Sequence, residues 1–161
     1  MEQKQLIELV KKVRQETGLG IMEIKSALEE ANGDEKKAKD ILKEKGFKKA
    51  EKRAERETGQ GRVATYTHTT GKIGVMVELL CETDFVAKNE DFLSVSRDLC
   101  LQIAAMNPET VEDLLKQDFI KDPSKKIEDL VVALGAKFGE NVRVGRMARF
   151  EIESAVVATE C

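Results

Sequence analysis

The chain has 161 residues, of which 41% are hydrophobic and 35% are charged, and its formal net charge is -3. This length suits one or two small domains, and the net charge argues against bulk electrostatic attraction to nucleic acid or to an anionic membrane. No apolar run approaches the ~20 residues that a membrane span needs, and the polar start lacks the apolar region of a signal peptide. We therefore expect a cytoplasmic protein without a nucleic-acid or membrane partner.

The first 47 residues contain three short helical patterns. Hydrophobic residues recur at helical spacing over residues 6–13, and a second apolar face spans residues 24–31. Asp34 is a candidate N-cap for a third helix, which Gly46 is expected to end. These features predict a compact three-helix bundle over residues 1–47.

Residues 48–58 mix both charge signs and contain only two alanines as apolar residues. Such a segment cannot bury a face well, so it indicates a solvated helical linker. A basic arm for nucleic acid is the alternative interpretation, but the interleaved Glu51, Glu55 and Glu57 weaken it.

Residues 59–153 begin with a β pattern. A segment rich in threonine and valine, a turn over residues 70–72, and an apolar return strand over residues 73–80 predict a hairpin. Val75, Val77 and Leu79 should share one face of it, because side chains alternate along a strand.

Helical patterns follow the hairpin. Apolar residues at helical spacing cover residues 92–103, Thr110 and Asp113 resemble a capping box, and Asp122-Pro123 predicts the start of the last helix. Apolar residues then alternate, with Arg146 as the exception, and predict a final long strand: Val142, Val144, Ala148, Phe150 and Ile152. The fold class is therefore α+β, with a three-stranded antiparallel sheet packed against helices.

A sheet of three strands has two edges and one face without helices, and it is a poor unit to stand alone. A partner or a second copy of the chain would cover it. The apolar-tinged tail of residues 154–161 could reach across such an interface.

The corner between the second strand and the following helix carries the sequence Thr83-Asp84-Phe85-Val86-Ala87-Lys88-Asn89. An aspartate beside a large ring at such a corner suggests binding residues shown to a partner, since corners on a rigid scaffold often carry them. The alternative is a phenylalanine tucked under its own loop and an aspartate that caps the next helix.

Motifs of common enzyme sites do not emerge. The sequence has no GxxxxGK(S/T) loop, so we expect no direct nucleotide binding. Three cysteines without CxxC spacing and a single histidine argue against a metal site or cofactor. Thiol catalysis by Cys81 with His68 on a neighbouring strand is a further alternative, although Cys81 and Cys100 lie in core-like patterns. Glu78, Glu82 and Asp84 are interpreted as solvated rim residues rather than a catalytic pair.

Three stretches together resemble the elongation factor Ts family. They are the corner over residues 83–89, the segment over residues 17–28 with Asn32-Gly33-Asp34, and residues 139–144 (GENVRV). The resemblance spans nearly the whole chain in the right order. It implies that the first module has a three-helix fold like ubiquitin-associated domains.

The resemblance also implies a function. Members of this family are guanine-nucleotide exchange factors for elongation factor Tu, and they are not enzymes. Residues at two surfaces are expected to contact elongation factor Tu: at the corner, Thr83, Asp84, Phe85, Val86, Lys88 and Asn89, and on the helical module, Val13, Arg14, Ile21 and Met22. Phe85 is expected to wedge between two helices of the GTPase domain, and Asp84 to disturb its Mg²⁺ site.

Two departures from the family pattern affect these expectations. The chain has Gly-Leu-Gly-Ile-Met over residues 18–22, where the family often has Gly-Ala-Gly-Met-Met. It also ends where longer members continue into a second core subdomain with a coiled-coil insertion, so it resembles short members that use a second copy instead. We therefore expect a homodimer, in which two Cys161 tails could lie close together. A protein-interaction module that binds some other protein through the helical bundle is the alternative function.

Overall fold

The computed structural model describes residues 3–152 and confirms the α+β class. Three helices come first: α1 (Gln3–Thr17), α2 (Ile21–Glu30) and α3 (Glu35–Arg53). The rest of the described chain comprises β1 (Gln60–Thr67), β2 (Ile73–Cys81), α4 (Asp84–Ala87), α5 (Glu90–Met106), α6 (Val111–Lys116), β3 (Asp118–Phe119), β4 (Asp122–Lys126), α7 (Ile127–Phe138) and β5 (Arg143–Glu151). No helix within residues 3–152 combines the length and apolar character of a membrane span.

The three-helix bundle has its own small hydrophobic core. Val13, Ile24 and Leu28 are fully buried where α1, α2 and α3 meet. Asp34 caps α3 as predicted, since its side chain accepts a hydrogen bond from the backbone N–H of Lys37 at 3.0 Å. The core of the sheet-containing part is a second, separate cluster.

Helix α3 does not end at Gly46, so that prediction is wrong. A single glycine inside a helix costs only about 1 kcal/mol relative to alanine, and packing against α7 offsets this cost. Gly46 is buried beside Val132, and the Arg53 guanidinium donates to the carbonyl of Gly135 at 3.1 Å. The first part of the expected linker is thus the last part of α3, where it rests on the core. The domain boundaries at residues 47 and 58 stay predictions.

The main sheet has the strand order β1-β2-β5 and is antiparallel throughout. The predicted hairpin is confirmed, and Val75, Val77 and Leu79 of β2 are buried on one face. Helix α5 packs across β1 and β2 on that side. Within residues 3–152, helices cover one face of the sheet and leave the other face open.

A β-bulge in β5 breaks the predicted alternation of that strand. Leu79 pairs with Val144 but Val77 pairs with Met147, so Gly145 and Arg146 together lie opposite Glu78. The extra residue reverses the alternation. Val144 faces the core as expected, whereas Phe150 lies on the open face, 74% exposed.

The last helix begins later than Asp122-Pro123 predicts. Residues Asp122–Lys126 form β4, which pairs with β3, and α7 starts at Ile127. The buried Gln102 of α5 holds this hairpin: its amide donates to the carbonyl of Asp118 at 3.1 Å and accepts from the N–H of Ile120 at 3.0 Å. Backbone groups satisfied by a distant glutamine stabilise a hairpin that local sequence does not reveal.

Candidate protein-interaction site

The corner after β2 is a single helical turn between two caps. The Thr83 side chain accepts from the N–H of Val86 at 3.4 Å and so caps α4, while Asn89 caps α5 by accepting from the N–H of Asp91 at 2.9 Å. The aspartate of the motif therefore does not cap the following helix. Both caps turn the chain sharply and leave α4 projecting between a strand and a long helix.

The turn has a buried side and an exposed side. Val86 and Ala87 are buried against the sheet, whereas the Phe85 side chain is 74% exposed. The alternative in which the ring is tucked under its own loop is therefore wrong. Val86 exposes almost no surface, so it is not part of the proposed contact surface. A large exposed ring on a braced turn is typical of a contact residue.

The exposed side of the corner carries an ion pair. The Lys88 ammonium donates to the Asp84 carboxylate at 2.6 Å, and this hydrogen bond, with the charge of Lys88, lowers the pKa of Asp84. Both side chains are solvated, so the pair adds little to stability. The carboxylate is ionised at neutral pH and remains accessible to a partner.

Comparison with known proteins finds similarity to one family over a region that includes this corner. The family model described as elongation factor TS matches residues 82–159 and so includes the corner. The chain is 39% identical to elongation factor Ts of Oleidesulfovibrio alaskensis, in an alignment that covers 89% of this chain and 96% of that protein. It is 41% identical to elongation factor Ts of Thermodesulfovibrio yellowstonii (90% and 94% covered) and of Leptospira biflexa (90% and 96% covered).

The chain belongs to the elongation factor Ts family. The resemblance noted in the sequence is thereby confirmed, and with it the assignment to protein-biosynthesis elongation factors. The alignments with these relatives run over 189 or 190 residues, which is more than this chain possesses. The relatives therefore contain internal residues that have no counterpart here.

The second set of predicted contacts lies on the helical module, apart from the corner. Arg14 is exposed on α1, and Ile21 and Met22 are exposed at the start of α2, where Met22 is 75% accessible. Val13, by contrast, is fully buried in the core of the bundle, which is contrary to a direct contact. Val13 lies on the apolar helical face predicted over residues 6–13, and that spacing was the available signal for its burial.

Glu140 and Asn141, to which sequence reasoning assigned no role, lie next to the corner. Glu140 accepts hydrogen bonds from the backbone N–H groups of Glu82 and Thr83, and Glu82 accepts from the N–H of Asn141 at 2.5 Å. Residues 140 and 141 belong to a stretch that resembles the elongation factor Ts family. That stretch was the available signal, but it carries no role by itself.

Cys81 does not form a reactive site with His68. The register pairs Gln60 with Cys81 and Thr67 with Gly74, so His68 and Cys81 lie at opposite ends of the hairpin. Burial raises the pKa of both Cys81 and Cys100 to about 11, which keeps them as thiols at neutral pH. The Cys81 thiol instead donates to the carbonyl of Thr83 at 3.1 Å. Cys161 lies outside the described residues.

Proposed function

We propose that this chain is a guanine-nucleotide exchange factor for elongation factor Tu and that it makes and breaks no covalent bond. The observation that carries the proposal is the exposed Phe85 ring on a braced corner, in a chain of the elongation factor Ts family. A protein that only needed a stable fold would gain by burying this ring.

In the proposed mechanism the corner enters the GTPase domain of elongation factor Tu beside its nucleotide. Phe85 separates two helices there, and Asp84 displaces groups that hold the Mg²⁺ ion through water. Asp84 is suited to this role, because its carboxylate is exposed and arrives as an anion. Once the ion leaves, the charge of the phosphates loses its bridge to the protein, and GDP dissociates faster.

One side chain cannot supply the whole effect. A thousandfold faster release needs about 4 kcal/mol of barrier lowering, whereas burial of one phenylalanine supplies roughly 1.5–3 kcal/mol. Other contacts must therefore hold the strained complex. Ile21 and Met22 are suited to this role, because they present apolar surface on a separate module. Arg14 would add charge at the same surface.

We further propose that two copies of the chain associate through the open face of the sheet. Four exposed hydrophobic residues lie on or next to that face: Val63, Met76, Phe150 and Ile152. An apolar sheet face of this kind is costly to leave in water. A second copy, seated by two-fold symmetry, would place the same surface against itself.

Release of a fluorescent GDP from elongation factor Tu tests the proposal. Added chain should accelerate release in a dose-dependent way, and GDP should weaken binding of the chain by the same factor by which the chain weakens binding of GDP. Binding without acceleration would favour the interaction-module alternative and would overturn the exchange function.

Met22 and Met106 provide a matched pair of variants for the second contact. Both methionines are exposed, one on the helical module and the other at the end of α5. Met22→Ala should raise the concentration that gives half-maximal acceleration by about fivefold and leave the maximal rate unchanged. Met106→Ala should change neither. Equal behaviour of the two variants would remove the helical module from the contact.

A further inference from the structure

Glu140 reaches the corner from the connection between α7 and β5. One carboxylate oxygen accepts the backbone N–H groups of Glu82 and Thr83 at 3.1 and 3.2 Å, and the other accepts the Thr83 hydroxyl at 2.6 Å. Strand β2 ends at Cys81, so these two N–H groups lie just beyond the strand pairing. A charged acceptor makes such hydrogen bonds stronger than a neutral one would.

The turn α4 depends on this support because it is very short. A helix of four residues cannot sustain itself in water, since nucleation is unfavourable and few hydrogen bonds follow. Its cap is Thr83, whose hydroxyl oxygen accepts from Val86 while its hydrogen is donated to Glu140. Glu140 thereby fixes the rotamer of the residue that begins the turn.

The loop between α7 and β5, which carries Glu140, is itself held in place by its next residue, Asn141. The backbone N–H of Asn141 donates to Glu82, and its buried side-chain amide donates to the carbonyls of Ala54 at 3.3 Å and Arg56 at 2.9 Å. Glu140 therefore extends from a loop that is itself tied to the segment after α3. The corner is therefore hydrogen-bonded to the loop before β5, and that loop is hydrogen-bonded to the segment after α3.

We propose that Glu140 is a positioning residue that holds Phe85 in the orientation in which its ring meets elongation factor Tu. This inference rests on the proposed exchange function. Without the carboxylate, α4 samples other orientations, and only a fraction of the molecules present the ring correctly. A chain that binds elongation factor Tu through its helical module with α4 misdirected does not accelerate release, so the maximal rate falls in proportion to the fraction of bound molecules whose ring is correctly placed.

The test compares Glu140→Ala and Glu140→Gln with the unaltered chain in the GDP-release assay. The maximal release rate at saturating factor should fall about tenfold for Glu140→Ala and about threefold for Glu140→Gln, which keeps one good acceptor. Amide hydrogen exchange at residues 82–86 of the free chain should become faster in the same order. If Glu140→Ala does not fold, Glu140→Gln alone tests the proposal: its maximal GDP-release rate should be lower, and its amide hydrogen exchange at residues 82–86 faster, than in the unaltered chain.

Helix α6 offers a matched control. It is also short, and its N-cap Thr110 likewise donates its hydroxyl to a carboxylate, that of Asp113, at 2.8 Å. Asp113→Ala removes this support from α6 and should keep the maximal release rate within about twofold of the unaltered chain.

The possible failures can be told apart. If the unaltered chain does not accelerate release, the exchange function is wrong. If the unaltered chain is active and the Glu140 variants match it, or if Asp113→Ala loses as much activity as Glu140→Ala, the positioning role alone is wrong.

Discussion

Phe85 and Phe150 are equally exposed, each at 74%, but they stand on very different surfaces. Phe85 projects from a single helical turn, beside a shallow concavity whose other lining residues are polar: Asp84, Lys88, Asn89 and Glu90. Phe150 lies on a strand, across from Gly74 and near the exposed Met76. One is an isolated ring, whereas the other belongs to an apolar surface.

The comparison shows that exposure alone does not define a role. An isolated ring on a braced turn can enter a cleft, but it buries little apolar area on a flat surface. It is therefore suited to separating two helices of a partner. A flat apolar face gains energy only when a surface of matching shape covers it, because hydrophobic stabilisation scales with buried area. We therefore propose nucleotide exchange at the corner and self-association at the sheet.

The largest expected effect comes from Phe85→Ala. Loss of the ring should lower the maximal rate of GDP release by about 50-fold, because the burial of one phenylalanine is lost only in the exchange transition state. Self-association should not change. Stopped-flow release and sedimentation velocity measure the two properties on the same sample. A normal release rate in this variant would remove the corner from the mechanism.

Phe150→Ala should weaken self-association and leave GDP release nearly unchanged. It should raise the dissociation constant for self-association by about tenfold, since apolar area is lost from the proposed interface. The maximal release rate at saturating factor should stay within about twofold of normal. Sedimentation equilibrium gives the first value. Unchanged self-association would mean that the open face is not where two copies meet.

Gly145→Ala tests the bulge that directs Phe150 to the open face. An added Cβ would lie 2.7 Å from the Glu78 carboxylate and 3.1 Å from Leu80 Cδ1. Relief of these contacts would distort the bulge, so the free energy of unfolding should fall by about 1–2 kcal/mol in urea titrations. Gly74→Ala is the control, because its Cβ would meet nothing within 4 Å. Equal stabilities for the two variants would contradict the described packing.

The smallest effect is a change in pH dependence at the same bulge. Hydrogen bonds from Arg146 lower the pKa of Glu78 from 4.5 to about 2, and the Arg146 side chain contributes more than the Arg146 backbone N–H. Because the folded value is the lower one, this contribution to stability is complete above about pH 4.5 and is lost as the pH falls toward 2.

Glu78→Gln stays neutral throughout that range. Its melting temperature should therefore lie furthest below that of the unaltered chain near pH 6, and the gap should narrow as the pH falls to 3. The gap should be small, since solvent screens an exposed pair. Thermal unfolding followed by circular dichroism gives the two curves, and a gap that stays constant with pH would exclude the ion pair as its source.

Local chemistry predicted much of this molecule. The hairpin, the caps at Asp34 and Thr110, and the inward face of β2 all follow from a few neighbouring residues. The corner was also recognisable, because an aspartate and a phenylalanine at a strand-to-helix junction are unusual together.

The features that sequence did not reveal depend on distant groups. Helix α3 passes Gly46 because α7 packs against it, and the β3–β4 hairpin forms because Gln102 satisfies its backbone. The bulge in β5 changes which residues share a face, and no local signal marks Glu140 as a support for residues 82 and 83. Each depends on a contact between segments far apart in the chain.

The proposed loss of the ion can be measured directly with Mn²⁺ in place of Mg²⁺. Elongation factor Tu loaded with Mn²⁺ and fluorescent GDP is mixed with the chain, and free Mn²⁺ is followed by electron paramagnetic resonance while GDP release is followed by fluorescence. We predict that free Mn²⁺ appears before GDP leaves and that Phe85→Ala suppresses both events. Departure of GDP while the ion stays bound, or undiminished ion release with the variant, would contradict this prediction.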